Sequence, residues 1–140
     1  MIAYEWRGPF DGREVRALHA EAFGGQGGSG GAGDRDAGPR DWRAQVERHS
    51  LGWVCARAGG DLAGFVNVAW DGGAHAFILD TMVAAGMQRR GIGAGLVAVA
   101  VREARRAGCE WLHVDFEERL RPFYVNGCGF FPSSAGLLAL

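Results

Sequence analysis

Cysteine is scarce in this chain: three in 140 residues, at 55, 109 and 128. An odd and widely spaced set leaves no disulfide framework and suits a reducing compartment. The four histidines (19, 49, 75, 113) and the three cysteines show no tight ligand spacing, which argues against a zinc site. Neither sign of charge is in excess, with fifteen Lys plus Arg against sixteen Asp plus Glu and a net charge of −1. A broad basic face for duplex nucleic acid therefore has no support, and Arg40, Arg43 and Arg48, interleaved with acids, read as a solvated face. The longest apolar run, Gly91 to Val101, is loosened by glycines and ends at Arg102, short of the ~18 residues a membrane helix needs. The first residues, Met1 to Asp11, lack the basic-then-apolar order of a secretory leader. These absences predict a cytoplasmic protein without membrane, nucleic-acid or metal partners.

What remains is ordinary globular composition, with 48% apolar and 22% charged residues, enough for one domain over residues 1–140 with a sizeable core. The exception is glycine, with 24 residues, eight of them between Gly24 and Gly38. No side chain in GGQGGSGGAGDRDAG can bury much apolar surface, so the segment reads as a flexible loop, either a passive linker or a lid over a substrate cleft.

Periodicity supplies the elements. Ile2 to Trp6 reads as a short strand. Asp11 and Glu14 form a capping box for a helix to Phe23 with Val15, Leu18 and Ala22 on one face. A second short helix, Trp42 to His49, places Trp42, Val46 and His49 together. Leu51–Arg57, Leu62–Trp70 and Ala74–Val83, separated by Ala58-Gly59-Gly60-Asp61 and Asp71-Gly72-Gly73, form an antiparallel meander. The pattern then changes to a helix, Gly91 to Ala107, and a strand, Trp111 to Phe116. A strand–helix–strand unit makes 74–83 and 111–116 parallel, through a right-handed crossover. Pro122 suits the start of a last helix, Arg121 to Cys128, and Phe130-Phe131 reads as a final strand. The fold class is mixed α/β.

Two motifs carry chemistry. Gln88-Arg89-Arg90-Gly91-Ile92-Gly93-Ala94-Gly95 lies between strand and helix. Its glycines let backbone N–H groups approach an anion where the helix dipole favours negative charge, and two arginines add donors. It lacks the Gly-Lys-Ser/Thr of a P-loop. The second motif is Phe123-Tyr124-Val125-Asn126-Gly127-Cys128-Gly129-Phe130. The order strand, Q-R-R-G-I-G-A-G helix start, strand, FYxxxxGF resembles the GNAT superfamily of acyl-CoA N-acyltransferases, in motif over roughly residues 50–131 and in element order before that.

The resemblance implies a GNAT-like mixed sheet, the meander followed by the parallel unit with a splayed cofactor cleft. It implies acetyl-CoA as co-substrate, with the backbone of Gln88, Arg89, Arg90, Gly91, Ile92, Gly93, Ala94 and Gly95 at the pyrophosphate and that of Met82 and Val83 along the pantetheine arm. Tyr124 matches the family's tyrosine, which protonates the departing thiolate. Glu117 stands where many members have Asn, and Ala85 where many have Pro. The expected reaction is direct transfer of acetyl to the amine of a small molecule or peptide, by a monomer or homodimer. The alternative is a non-catalytic acyl-CoA sensor or assembly domain. For the general base the residues leave Asp80, Asp115, Glu117 and His75 open. Asp80 lies late in an apolar strand, where desolvation would raise its pKa, and Asp115 occupies the matching position on the neighbouring strand, so that the two flank one cleft. His75 and His113 read otherwise as satisfied sheet residues, Cys128 as core packing, and Arg121 as either a substrate contact or a cap. Trp42, His49, Trp53, Asn67 and Trp70 line the acceptor side or belong to the core.

Overall fold

The computed structural model describes residues 1–23 and 40–140; the Gly-rich segment 24–38 lies outside the described residues. Five strands form one sheet in chain order: β1 (Ile2–Trp6), β2 (Ser50–Ala58), β3 (Asp61–Trp70), β4 (His75–Val83) and β5 (Trp111–Val114). The first three pairings are antiparallel and β4–β5 is parallel, so the expected meander feeding a parallel unit is what the chain adopts.

Successive side chains of a strand point to opposite faces. In β2 and β3 both sets are apolar because both faces are covered. Val54, Ala56, Val66 and Val68 pack with Ile92, Leu96 and Ala100 of α3 (Ile92–Arg106). Trp53, Cys55 and Phe65 pack with Val15 and Leu18 of α1 (Gly12–Phe23) and with Trp42 and Val46 of α2 (Trp42–His49). Both of the smaller helices are capped by aspartate. The Asp11 carboxylate accepts from Arg13 N at 2.9 Å while Asp11 N donates to Glu14 at 3.0 Å; Asp41 accepts from Ala44 N at 3.0 Å. Close approach of α3 depends on two glycines. A Cβ on Gly64 would stand 3.0 Å from Ile92 and Leu96, and one on Gly95 would overlap the Tyr4 ring.

Four local expectations are corrected. His49 is exposed rather than sharing the buried face of Trp42 and Val46, since α2 ends there and the chain turns into β2. The fifth strand stops at Val114 instead of Phe116. The last helix is a π-helical turn, Pro122–Gly127. No strand follows: residues 128–140 carry no helix or strand. Phe130 is drawn onto Tyr124, and Pro132, without an N–H, cannot serve an interior ladder.

The Arg57 guanidinium donates to both oxygens of Glu14, at 2.7 and 3.0 Å. That contact, and then the Asp11 amide, hold the Glu14 carboxyl below its usual 4.5. A carboxylate whose pKa is lowered on folding stabilises the protein above its unfolded value, and that contribution is lost as pH falls through the folded one. Glu14→Gln is therefore expected to lower the unfolding free energy at pH 7. The difference from wild type should vanish on acidification below about pH 4; urea titrations at several pH values measure it.

Candidate active site

The site begins where β4 loses one partner and shifts against the other. Its parallel ladder with β5 runs from His75↔Trp111 to Ile78↔Val114 and stops. From Leu79 to Val83 the edge of β4 that faces β5 has no strand beside it, an open row of peptide groups that an extended ligand with amides can pair with. On the β3 side, Leu79 pairs with Asn67 and Met82 with Phe65, so β4 carries one residue more than β3 between those pairs. This is a bulge, which bends a strand and re-aims its side chains. Asp80 sits in it with φ 56°. A left-handed non-glycine residue costs about 1–3 kcal/mol and persists where its surroundings demand it.

The bulge sends two consecutive side chains to different partners. Asp80, about one-fifth exposed, accepts from Arg40 Nη2 at 3.2 Å. Thr81 accepts from the Tyr124 hydroxyl at 3.2 Å. Arg40 is in turn held by Gln45, whose Oε1 accepts from Nε at 2.8 Å, and lies 3.5 Å above the Trp42 ring centroid. Neither Arg40 nor Thr81 stands out in the sequence. Thr81 has one weak signal, a hydroxyl in an apolar strand beside a carboxylate.

Tyr124 projects from the π-helical turn into an aromatic enclosure. Phe116 stacks on it at 5.2 Å, Phe123 meets it edge-on at 4.8 Å and Phe130 at 5.9 Å. Gly129, at φ 83°, allows the reversal that brings Phe130 back, and Phe130 N donates to Tyr124 O at 3.0 Å. These contacts close Phe123 to Phe130 into one unit around Tyr124. Burial raises the Tyr124 pKa above its usual 10.0, against a smaller lowering by the Thr81 hydrogen bond, so the phenol keeps its proton near neutrality. Cys128 sits at the edge of the same cluster. Burial pushes its thiol up too, as suits a packing residue and not a nucleophile.

At the other end of the open β4 edge, α3 starts on Gly91, left-handed at φ 80°, after Arg89 at φ 63°. A left-handed residue followed by helical ones turns successive N–H groups to one concave side, which suits an anion. The first-turn amides of Ile92, Gly93 and Ala94 precede the first helical bond, which Gly95 N makes to Gly91 O at 3.0 Å. Gly95 therefore differs from the sequence expectation: its N–H is spent inside the helix, and its missing Cβ serves Tyr4. Gln88, Arg89 and Arg90 are exposed around the turn, and among the described residues neither arginine forms a salt bridge.

Other candidates stand elsewhere. Asp115 is exposed one residue beyond β5. Extending the register from Ile78↔Val114 sets it level with Leu79, not Asp80. Glu117 pairs with Arg119 and Arg121 with Glu118, at 2.7 Å each. His75 Nδ1 and His113 Nε2 lie 2.8 Å apart on the exposed face of β4–β5. Trp42, Trp53 and Asn67 are buried, with Trp53 Nε1 donating to Gly8 O at 2.8 Å. No group of three or more metal-ligating side chains occurs among the described residues.

Residues 13–130 match the acetyltransferase (GNAT) family. Among solved structures, the chain superposes on a GNAT-family acetyltransferase, SP0256 from Streptococcus pneumoniae TIGR4, with TM-score 0.74 and 20% identity, covering 100% of this chain and 98% of that one. Glucosamine-6-phosphate N-acetyltransferase from Arabidopsis thaliana gives 0.70 and 15%, covering 97% of each. AAC(6')-Iy, bound to the bisubstrate analogue CoA-S-monomethyl-acetylneamine, gives 0.75 and 16%, covering 99% and 96%. At these identities the likeness is one of fold. No curated protein matches the sequence.

The two glycines of the turn separate experimentally. A side chain on Gly93 would stand between the first turn of α3 and the end of β4, with its Cβ 3.1 Å from the yielding edge of Phe123 and 3.9 Å from Val83. Gly93→Val is expected to weaken coenzyme A binding by more than about tenfold, through loss of charge-assisted amide contacts, with a small change in melting temperature. Gly95→Ala should do the reverse, lowering the melting temperature through its clash with Tyr4. Calorimetric titration and thermal unfolding of both variants decide the assignment.

Proposed function

Because the chain belongs to the GNAT family of acetyltransferases, we propose that it transfers an acetyl group from acetyl-CoA directly to an amine. The observation that carries this reading is the convergence on one stretch of β4: an unpaired strand edge from Leu79 to Val83, a first-turn amide cradle at its far end, and a buried, protonated Tyr124 hydrogen-bonded to Thr81. The amides of Gly91, Ile92, Gly93 and Ala94, with Gln88, Arg89 and Arg90 around them, bind the pyrophosphate. The backbone of Met82 and Val83 pairs with the pantetheine amides as an added strand.

This placement sets the thioester beside the bulge. The amine, once neutral, attacks the thioester carbonyl carbon. A backbone N–H near Met82 donates to the oxygen as negative charge develops there. The C–S bond breaks, and the thiolate takes the Tyr124 proton, which solvent later replaces. Asp80 receives the proton that the amine gives up. Asp115, exposed and a register step away, has no part in this reading.

A thiolate leaves tolerably without help, so a positioned acid contributes at the low end of the ~10²–10⁴-fold range for proton transfer. Tyr124→Phe is expected to lower kcat by roughly tenfold to a few hundredfold, about 1.4–3.4 kcal/mol at the barrier, with acetyl-CoA binding nearly unchanged because the ring still packs. Asp80→Asn should lose most at low pH, where the amine is protonated and a base is most needed. Coenzyme A release with one good amine, followed against pH for wild type and both variants, is the test. Full turnover by Tyr124→Phe while chemistry limits the rate would remove the acid role. Acetyl-CoA binding without release from any amine in a broad panel would make the domain a binding module.

A further inference from the structure

Arg40 occupies a cradle made only of groups that attract cations. Its guanidinium lies over the Trp42 indole at 3.5 Å from the centroid, meets the Asp80 carboxylate at 3.2 Å and donates through Nε to Gln45 Oε1 at 2.8 Å. An aromatic face, a carboxylate and an amide oxygen together recognise a positively charged nitrogen. Trp42 and Asp80 do not depend on Arg40 for their positions. Trp42 is buried against Phe65 and His19, and Asp80 is set by the bulge. The cradle is thus built into α2 and β4, and Arg40 is the movable occupant.

The occupied position lies one residue from the proposed acyl site, since Asp80 precedes Thr81, whose hydroxyl accepts from that of Tyr124. The side chains of Arg40 and Asp80 keep 34% and 20% of their exposure, so their pairing is solvent-screened and replaceable by a competing cation. Chemistry favours arginine in such a place. A guanidinium stays protonated and is no nucleophile for a thioester, whereas a lysine amine beside the acyl group would itself be acetylated. The chain has no lysine at all; its fifteen basic side chains are all arginine.

We infer that Arg40 is an internal stand-in for the acceptor, and that the acceptor is an aliphatic amine which arrives as its ammonium ion and displaces the Arg40 guanidinium between Trp42 and Asp80. This rests on the acetyltransferase reading above. The ammonium proton passes to an Asp80 oxygen and on to solvent; the freed nitrogen lone pair forms the new C–N bond as the C–S bond breaks, the thiolate takes the Tyr124 proton, and the second proton of the nitrogen goes to the emptied Asp80 oxygen. Release of the amide product and of the Asp80 proton to solvent lets Arg40 return. Arg40 and the acceptor compete for one place, so the enzyme discriminates against amines that are neutral when they arrive.

The test uses the full chain with Arg40→Ala, and with Arg40→Gln as a milder second variant. Removing the competitor should lower KM for primary alkylamines by roughly threefold to tenfold, the range of an exposed ion pair with its cation–π contact. The affinity for acetyl-CoA, which does not enter the cradle in this reading, should stay put. Methylguanidinium, an inert copy of the missing group, should raise the alkylamine KM of Arg40→Ala back toward wild type. Its binding, followed by nuclear magnetic resonance without turnover, should be clear in Arg40→Ala, weaker in wild type and lost in the Arg40→Ala/Asp80→Asn double variant. An alkylamine KM that rises or is unchanged in both Arg40 variants, or methylguanidinium binding equally to wild type and Arg40→Ala, overturns the inference. Failure of the acetyltransferase reading shows differently, as absence of coenzyme A release in every protein, and the methylguanidinium titration still reports on the cradle.

Discussion

A strand in the middle of a sheet normally spends its backbone on two neighbours, and β4 does so only as far as Ile78. Beyond that point it keeps β3 and loses β5, and it keeps β3 only by taking up an extra residue at Asp80. The rest of the site depends on this half-released strand. The same five residues offer peptide groups on the open edge, aim Thr81 at Tyr124 and aim Asp80 at Arg40. A strand paired with β5 to its end would have left no such open edge. Rigid support comes from behind, where Phe65 and Met82 are fully buried under α1 and α2 and Gly64 lets α3 lie close on the other face.

Much of this was legible because the deciding signals are local. Asp11 with Glu14 marks a helix start through bonds within three residues, and those bonds are present. The hairpin turns, the apolar runs of β2 and β3 and the glycine-marked start of α3 are equally local. The Phe123–Phe130 spacing encodes a closed aromatic cluster that forms around Tyr124. The failures share a cause. Nothing in Phe-Ile-Leu-Asp-Thr-Met-Val says that the register slips at Asp80, because the slip is decided by β3. Nor does the sequence give the parallel register, which sets Asp115 level with Leu79 and not with Asp80. The Arg40–Asp80 contact joins residues forty positions apart and exists only because α2 crosses the sheet as it does. Phe130-Phe131 has strand propensity, but packing against Tyr124 takes Phe130 out of any ladder. Gly95 belongs to the motif by its neighbours, yet its reason to be glycine lies in Tyr4.

The charges near the site divide by their mobility. Glu14 and Arg57 form a two-bond pair that ties α1 to β2, and it is part of the frame. Arg40 is held by one bond to each of Gln45 and Asp80 and by a ring face, contacts that another cation can replace one for one. Arg89 and Arg90 stand exposed beside the amides that would carry most of an anion's binding, so they steer more than they hold.

The contact between Tyr4 and Gly95 also bears on how the chain comes to be folded during synthesis. Residues 2–6 find their ladder only in residues 54–58, so β1 has no partner until β2 has been made. Tyr4 and its ladder partners all precede α3 in the chain, and α3 packs on a surface shaped for a residue without a side chain. The glycine-marked start of that helix follows all four strands of the antiparallel part in the chain. A nascent chain halted before α3 has every strand of the meander and none of the proposed anion cradle.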